Sequence, residues 1–218
     1  MFIGHYAVGF ATKKIAQKPS LGTYFAAVSL LDLLFPVFML MGLESARIEP
    51  GNTVVVPMAF DNYPYSHSLF MTLVWATLFA GIYYLIRRDK RSSLWLWIAV
   101  VSHWVIDALS HRPDLPLAPW GNTVVGLGLW NSLAGTIIVE GTMFIVGLVL
   151  YLSATKAKSK IGVFSFWGLI PVLTFSYIGN IFGPSPPDTK VMAWFSLSGY
   201  FIVFWDYWIN RHRALKHK

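Results

Sequence analysis

Six apolar stretches, at residues 21–43, 67–86, 93–110, 127–152, 161–183 and 190–210, constrain this chain more than any other feature. Each is near or above the ~20 residues that a helix needs to cross a bilayer core. Inside lipid every backbone amide must find its partner within the protein, so the stretches read as helices. The expected fold is an all-α polytopic membrane bundle of about six transmembrane helices, one domain over residues 1–218. Charged residues make up 12% of the chain, about half the share of a soluble domain. The 10 Trp and 10 Tyr suit belts at the two membrane interfaces.

A net charge of +7 would suit a nucleic-acid partner, but the placement of the charge gives another reading. Lys13, Lys14, Lys18, Arg87, Arg88, Lys90, Arg91, Lys156, Lys158, Lys160, Arg211, Arg213, Lys216 and Lys218 flank one side of the spans. The other side has only Arg47, Arg112 and Lys190. That 14 to 3 division of the 17 cations follows the positive-inside rule, with both termini cytoplasmic in a bacterial inner membrane and no nucleic acid as partner. An N-terminal helix is expected over 2–18. Lys13 and Lys14 follow its apolar stretch instead of preceding it, the wrong order for a cleavable signal peptide. Residues 2–12 are too short to span, so they either lie at the interface or dip halfway into the bilayer.

The basic connections are short, whereas the opposite ones are long and rich in Pro and Gly, as at 44–65, 111–126 and 183–189. Five of the ten acids (Glu44, Glu49, Asp61, Asp114 and Asp188) fall there too, so a functional face is expected to open outward. No internal repeat points to an inverted-repeat transporter. No glycine loop of the nucleotide-cradling kind is present.

Ionisable groups within spans are costly and face the bundle interior or a water-filled cavity. Here they are Asp32, His103, Asp107, Glu140 and Asp206. At ~1.5 Å per residue from the basic end, Asp32, His103, Asp107 and Glu140 all lie roughly 15–21 Å deep, which points to one site near the midplane. His5, about 12 Å deep on a half-membrane helix, would meet Asp32 across a helical hairpin. His67 and His111 are expected nearer the outer surface. His103, Asp107 and His111 follow one helix stripe at i, i+4 and i+8. A His-x-x-x-Asp pair on one face can clip a borderline metal such as zinc, or it can simply neutralise itself. The chain has no cysteine, so any metal must be held by imidazole and carboxylate. Asp206 is expected to pair with Arg211 or Arg213, Ser66 and Ser68 to cap the second span, and His212 and His217 to be solvated in a basic tail.

The order Gly4-His5, Leu31-Asp32, Tyr65-Ser66-His67-Ser68 and Ser102-His103-Trp104-Val105-Ile106-Asp107 resembles the YdjM-like family of membrane-bound metal-dependent hydrolases. So do Pro50-Gly51-Asn52-Thr53, His111-Arg112-Pro113-Asp114-Leu115-Pro116-Leu117 and Gly128-Leu129-Trp130-Asn131-Ser132. The ligand order is also similar to that of the zinc-dependent phospholipase C and single-strand nuclease superfamily. His5, Asp32, His67, His103, Asp107 and His111 match that order, but the closing His-x-x-x-Glu keeps only Glu140, with Thr136 four residues before it. The resemblance implies one or two zinc ions on His5, Asp32, His67, His103, Asp107, His111 and Glu140, and hydrolysis of a phosphoester, possibly a phospholipid. Asp32 or Asp107 would then accept a proton and Arg112 hold the phosphate. The residues alone leave two other classes open: a proton- or ion-coupled transporter or channel using the same polar groups, and a non-catalytic assembly protein.

Overall fold

The computed structural model describes residues 1–216; His217 and Lys218 lie outside the described residues. The chain is mostly helical. Among the described residues, four helices are long and apolar enough to cross a membrane: α5 (Leu69–Arg87), α6 (Lys90–Ser110), α7 (Leu133–Ala154) and α8 (Lys160–Phe182). A fifth crossing arises if α2 (Leu21–Val28) and α3 (Leu30–Leu40), bent by 55° at Ser29, count as one. The sixth expected span is divided into α9 (Thr189–Ser196) and α10 (Gly199–His212), each too short to cross alone. Among the described residues, three short two-stranded antiparallel ribbons accompany the helices: β1 (Ser45–Ile48) with β2 (Met58–Asn62), β3 (Leu115–Pro116) with β4 (Val124–Val125), and β5 (Thr155–Ala157) with β6 (Arg213–Leu215).

The long helices carry bulky apolar side chains outward, among them Ile82 and Ile86 on α5, Ile138 and Ile145 on α7, and Phe164 on α8. Such faces need lipid around them. The basic connections gather at one end of the bundle. There Lys18 pairs with Asp89 at 3.1 Å, Arg91 donates to the Ile15 carbonyl at 3.3 Å, and Lys158 to the Arg211 carbonyl at 3.0 Å. β5 and β6 join at the same end, tying the α7–α8 connection to the segment after α10.

The N-terminal helix, α1 (Ile3–Ile15), runs inside the bundle and not along its surface. It packs against α2, α6, α7 and α8, and Phe10 meets Phe25, Phe144, Tyr151 and Phe166 in a closed aromatic core. Gly147 on α7 permits this approach, since a Cβ there would stand 2.4 Å from the Ala7 carbonyl oxygen. Small residues of this kind let membrane helices come together backbone to backbone.

Candidate metal centre

Four local features aim side chains at one point. The break at Ser29 ends α2, leaving the Val28 carbonyl outside the helix ladder, and this oxygen takes His103 Nδ1–H at 2.7 Å. A carbonyl only accepts, so His103 presents Nε2 as a lone pair, and that buried atom has no hydrogen-bond partner among the described residues. The chain before α5 makes one helical turn, α4 (Pro64–His67), and turns His67 into the bundle. There Ser66 Oγ donates to the Glu44 carboxylate at 2.6 Å and receives His67 Nδ1–H at 2.7 Å, so His67 also presents Nε2. Glu44 further accepts from the Tyr65 and Ser66 amides, each at 2.8 Å. Its burial pushes the carboxyl above the ordinary glutamate value, against the pull of the Ser66 bonds. α1 delivers His5, whose ring stacks on His103 with centroids 3.7 Å apart and planes 2° from parallel. Finally, α6 supplies Asp107, almost fully buried, whose two oxygens face different partners.

Asp107 Oδ1 lies 3.1 Å from His5 Nε2, and Oδ2 lies 3.0 Å from His103 Nε2 and 3.9 Å from His67 Nε2. Asp32 Oδ1 stands 3.5 Å from His67 Nε2 and 3.7 Å from His103 Nε2. Two triads result whose ligand atoms lie within 4.8 Å of one another: His5, His103 and Asp107, and Asp32, His67 and His103. His5 Nδ1 is a second buried nitrogen without a partner among the described residues. Ring nitrogens presented beside two carboxylates, with the other nitrogen of His67 and His103 tied to an acceptor, form a donor set that could hold a metal ion. The Met1 amino group also donates to Asp107, and at 3.3 Å to Ser110 Oγ.

The remaining candidates stand apart from these triads. His111 lines the same cavity, but its Nδ1 goes to Asp114 Oδ1 at 2.9 Å, and burial lowers its pKa and keeps the ring neutral. Tyr63, its phenol pushed up by burial and by Asp114, donates to the same oxygen at 3.2 Å. The 126–128 segment fixes this corner. Leu127 and Gly128 donate to the Ala108 and His111 carbonyls, and a Cβ at Gly126 (φ 156°) would stand 2.1 Å from the Arg112 oxygen. Glu140 holds the start of α1, accepting from the Phe2 and Gly4 amides at 2.9 and 3.2 Å, where helix amides and dipole favour a carboxylate. Thr136 donates to the Leu129 carbonyl. Arg112, partly exposed, is engaged with Asp114 at 3.2 Å.

Three placements correct the sequence reading. His67 does not lie outward of the cluster but within it, because α4 folds into the bundle and α5 begins only at Leu69. Ser68, not Ser66, caps α5, accepting from the Met71 amide at 3.2 Å. Asp206 is also not paired with Arg211 or Arg213. It is fully buried, neither oxygen has a partner among the described residues, and Arg213 lies over Phe166 at 4.5 Å and donates to Thr155.

The cluster opens into a cavity of about 950 Å³, roofed by residues 50–58 of the β1–β2 connection and lined on its other side by α8, α9 and α10. Asp32, with a side chain 51% exposed, faces this space. The aromatic core around Phe10 packs α1 against α2, α7 and α8.

A family model described as YdjM inner membrane protein matches residues 64–183, more than half of the chain. That stretch holds His67, His103, Asp107, His111 and Glu140, whereas His5 and Asp32 precede it. No curated protein and no solved structure matches the chain.

Proposed function

The chain belongs to the YdjM inner membrane protein family, and from that premise we propose that it is a metal-dependent hydrolase of phosphoesters, with one or two zinc ions held by His5, Asp32, His67, His103 and Asp107. The observation that carries the reading is the meeting of His5, His103 and Asp107, and of Asp32, His67 and His103, with His103 Nε2 buried beside both carboxylates and without a hydrogen-bond partner among the described residues. A cluster built only to fix helix packing would satisfy its own nitrogens.

Zinc bound there supplies a Lewis acid for the phosphoryl oxygen and brings the pKa of a water down toward neutrality. The chain's own residues do the rest. His103 and His67 are locked by Val28 and by the Ser66–Glu44 pair, so they bind without first reorienting. Asp107 is buried and turned to two sides, which suits a ligand shared between neighbouring positions. Asp32, open to the cavity, is placed to accept the proton of an attacking water. Arg112, next in sequence to the cavity-lining His111, offers a guanidinium for a phosphate if it gives up Asp114. His111 and Glu140 are assigned supporting roles: His111 shapes the cavity wall, and Glu140 holds α1 so that His5 keeps its place.

Protein purified without chelator should contain about one or two zinc ions per chain, lose bis(p-nitrophenyl) phosphate hydrolysis on chelation, and regain it with zinc. Protein that neither carries nor takes up a transition metal sinks the proposal and makes the proton path the reading to test. Ser66→Ala should weaken zinc binding about 10- to 100-fold in competition with a chromogenic chelator, because His67 Nδ1 loses its acceptor. Unchanged affinity would show that the Glu44–Ser66 pair does not hold the ring.

A further inference from the structure

The cavity that the His/Asp cluster lines through Asp32, His67 and Asp107 also reaches the lipid-facing surface. Phe175 on α8 and Phe195 on α9 both line it, yet they are 71% and 69% exposed. Met192 and Ile202 add further apolar wall. Between them α8 is pared down: Ser176 and Gly179 line the cavity, and a Cβ at Gly179 would meet nothing within 4 Å. α9 packs on α3, and α10 on α2 and α8, so the outer half of α8 faces α9 across this space. One continuous cavity thus runs from buried imidazoles and carboxylates to an apolar seam at the bundle surface.

We propose that the seam admits a glycerophospholipid sideways from the leaflet at the loop-rich end, with its phosphodiester at the His/Asp cluster and an acyl chain left between α8 and α9. The head-group half of this proposal rests on the phosphoester reading; the seam itself does not. A soluble phosphoester gains nothing from a wall of exposed Phe flanked by Met and Ile. A phospholipid taken up in this way never draws its methylenes into water, each of which would cost free energy. The 50–58 segment covers the cavity toward the aqueous side, with Val55 donating to the Trp130 carbonyl at 3.2 Å, and this favours the lateral route.

The test uses the full chain in phosphatidylethanolamine and phosphatidylglycerol vesicles that contain a phosphatidylglycerol with a diazirine near the end of one acyl chain. Photolysis should label peptides from residues 170–202 more heavily than α5. Gly179→Phe, which fills the seam, should reduce that labelling at least about tenfold, as an overpacked site would. Gly81→Phe on α5, where a Cβ also meets nothing within 4 Å, should leave it unchanged. Ser176→Phe is an independent plug should Gly179→Phe fail to fold. With zinc present, Gly179→Phe should slow phospholipid hydrolysis while sparing bis(p-nitrophenyl) phosphate. Seam labelling no heavier than on α5, labelling indifferent to both plugs, or adducts between two copies of the chain would overturn the proposal. If the zinc-loaded parent hydrolyses no phosphoester, the catalytic reading fails, and the labelling pattern still decides whether a lipid occupies the seam.

Discussion

Replacing His103 and Asp107 together by alanine is expected to abolish metal binding and to lower phosphoester hydrolysis by about a thousandfold or more, the several kcal/mol that Lewis-acid stabilisation contributes. His103 belongs to both candidate triads, and Asp107 supplies an oxygen to each side, so neither triad survives the pair of changes. The single variants should each cause most of the loss, because groups that act as a unit are not additive. Elemental analysis beside a hydrolysis assay reads both effects. Thermal unfolding in the same detergent separates loss of the site from loss of the fold. A double variant that keeps its zinc would place the metal elsewhere, and one that keeps hydrolysis would remove the cluster from the chemistry.

Gly147→Leu should be the most damaging change away from the cluster. The new Cβ would lie 2.4 Å from the Ala7 carbonyl oxygen, a backbone atom that can yield only if α1 moves as a whole. A cost of at least about 3 kcal/mol is expected, or a melting temperature roughly 6–12 °C lower for a chain of this size. Zinc should be lost with it, since α1 carries His5. Gly141→Leu is the control on the same helix, where a Cβ meets nothing within 4 Å and the melting temperature should hold. If the two variants unfold together, α1 is not held by that contact.

The long membrane helices and the residues that gather in the cluster were legible for one reason: lipid penalises exposed backbone and buried charge so heavily that hydropathy and stray ionisable residues stand out. Asp32, His103 and Asp107 share a depth because each helix rises by the same amount per residue. The bend was not legible. Prolines mark the expected kinks, yet Pro36 sits within α3 and Pro171 within α8, while the break falls at Ser29. Glu44 gave no local signal, being one of several acids in a long connection. Its link to His67 exists only because β1 and β2 return the chain to Ser66, which it contacts across 22 residues. Asp206 misled for the opposite reason. Arg211 and Arg213 are near it in sequence, but the chain leaves the helix at Arg213 to pair as β6 and carries that guanidinium away to Phe166.

The break at Ser29 has a consequence for how such a chain can change over time. An unbroken helix through residues 21–40 would recover the hydrogen bonds lost at the bend, and substitutions that favour it lie within ordinary mutational reach. Healing the helix would return the Val28 carbonyl to the ladder and strip His103 of the acceptor that sets its tautomer. Screening for thermal tolerance alone would therefore enrich straightened, metal-poor descendants, whereas selection for the cluster's chemistry must keep reintroducing the flaw.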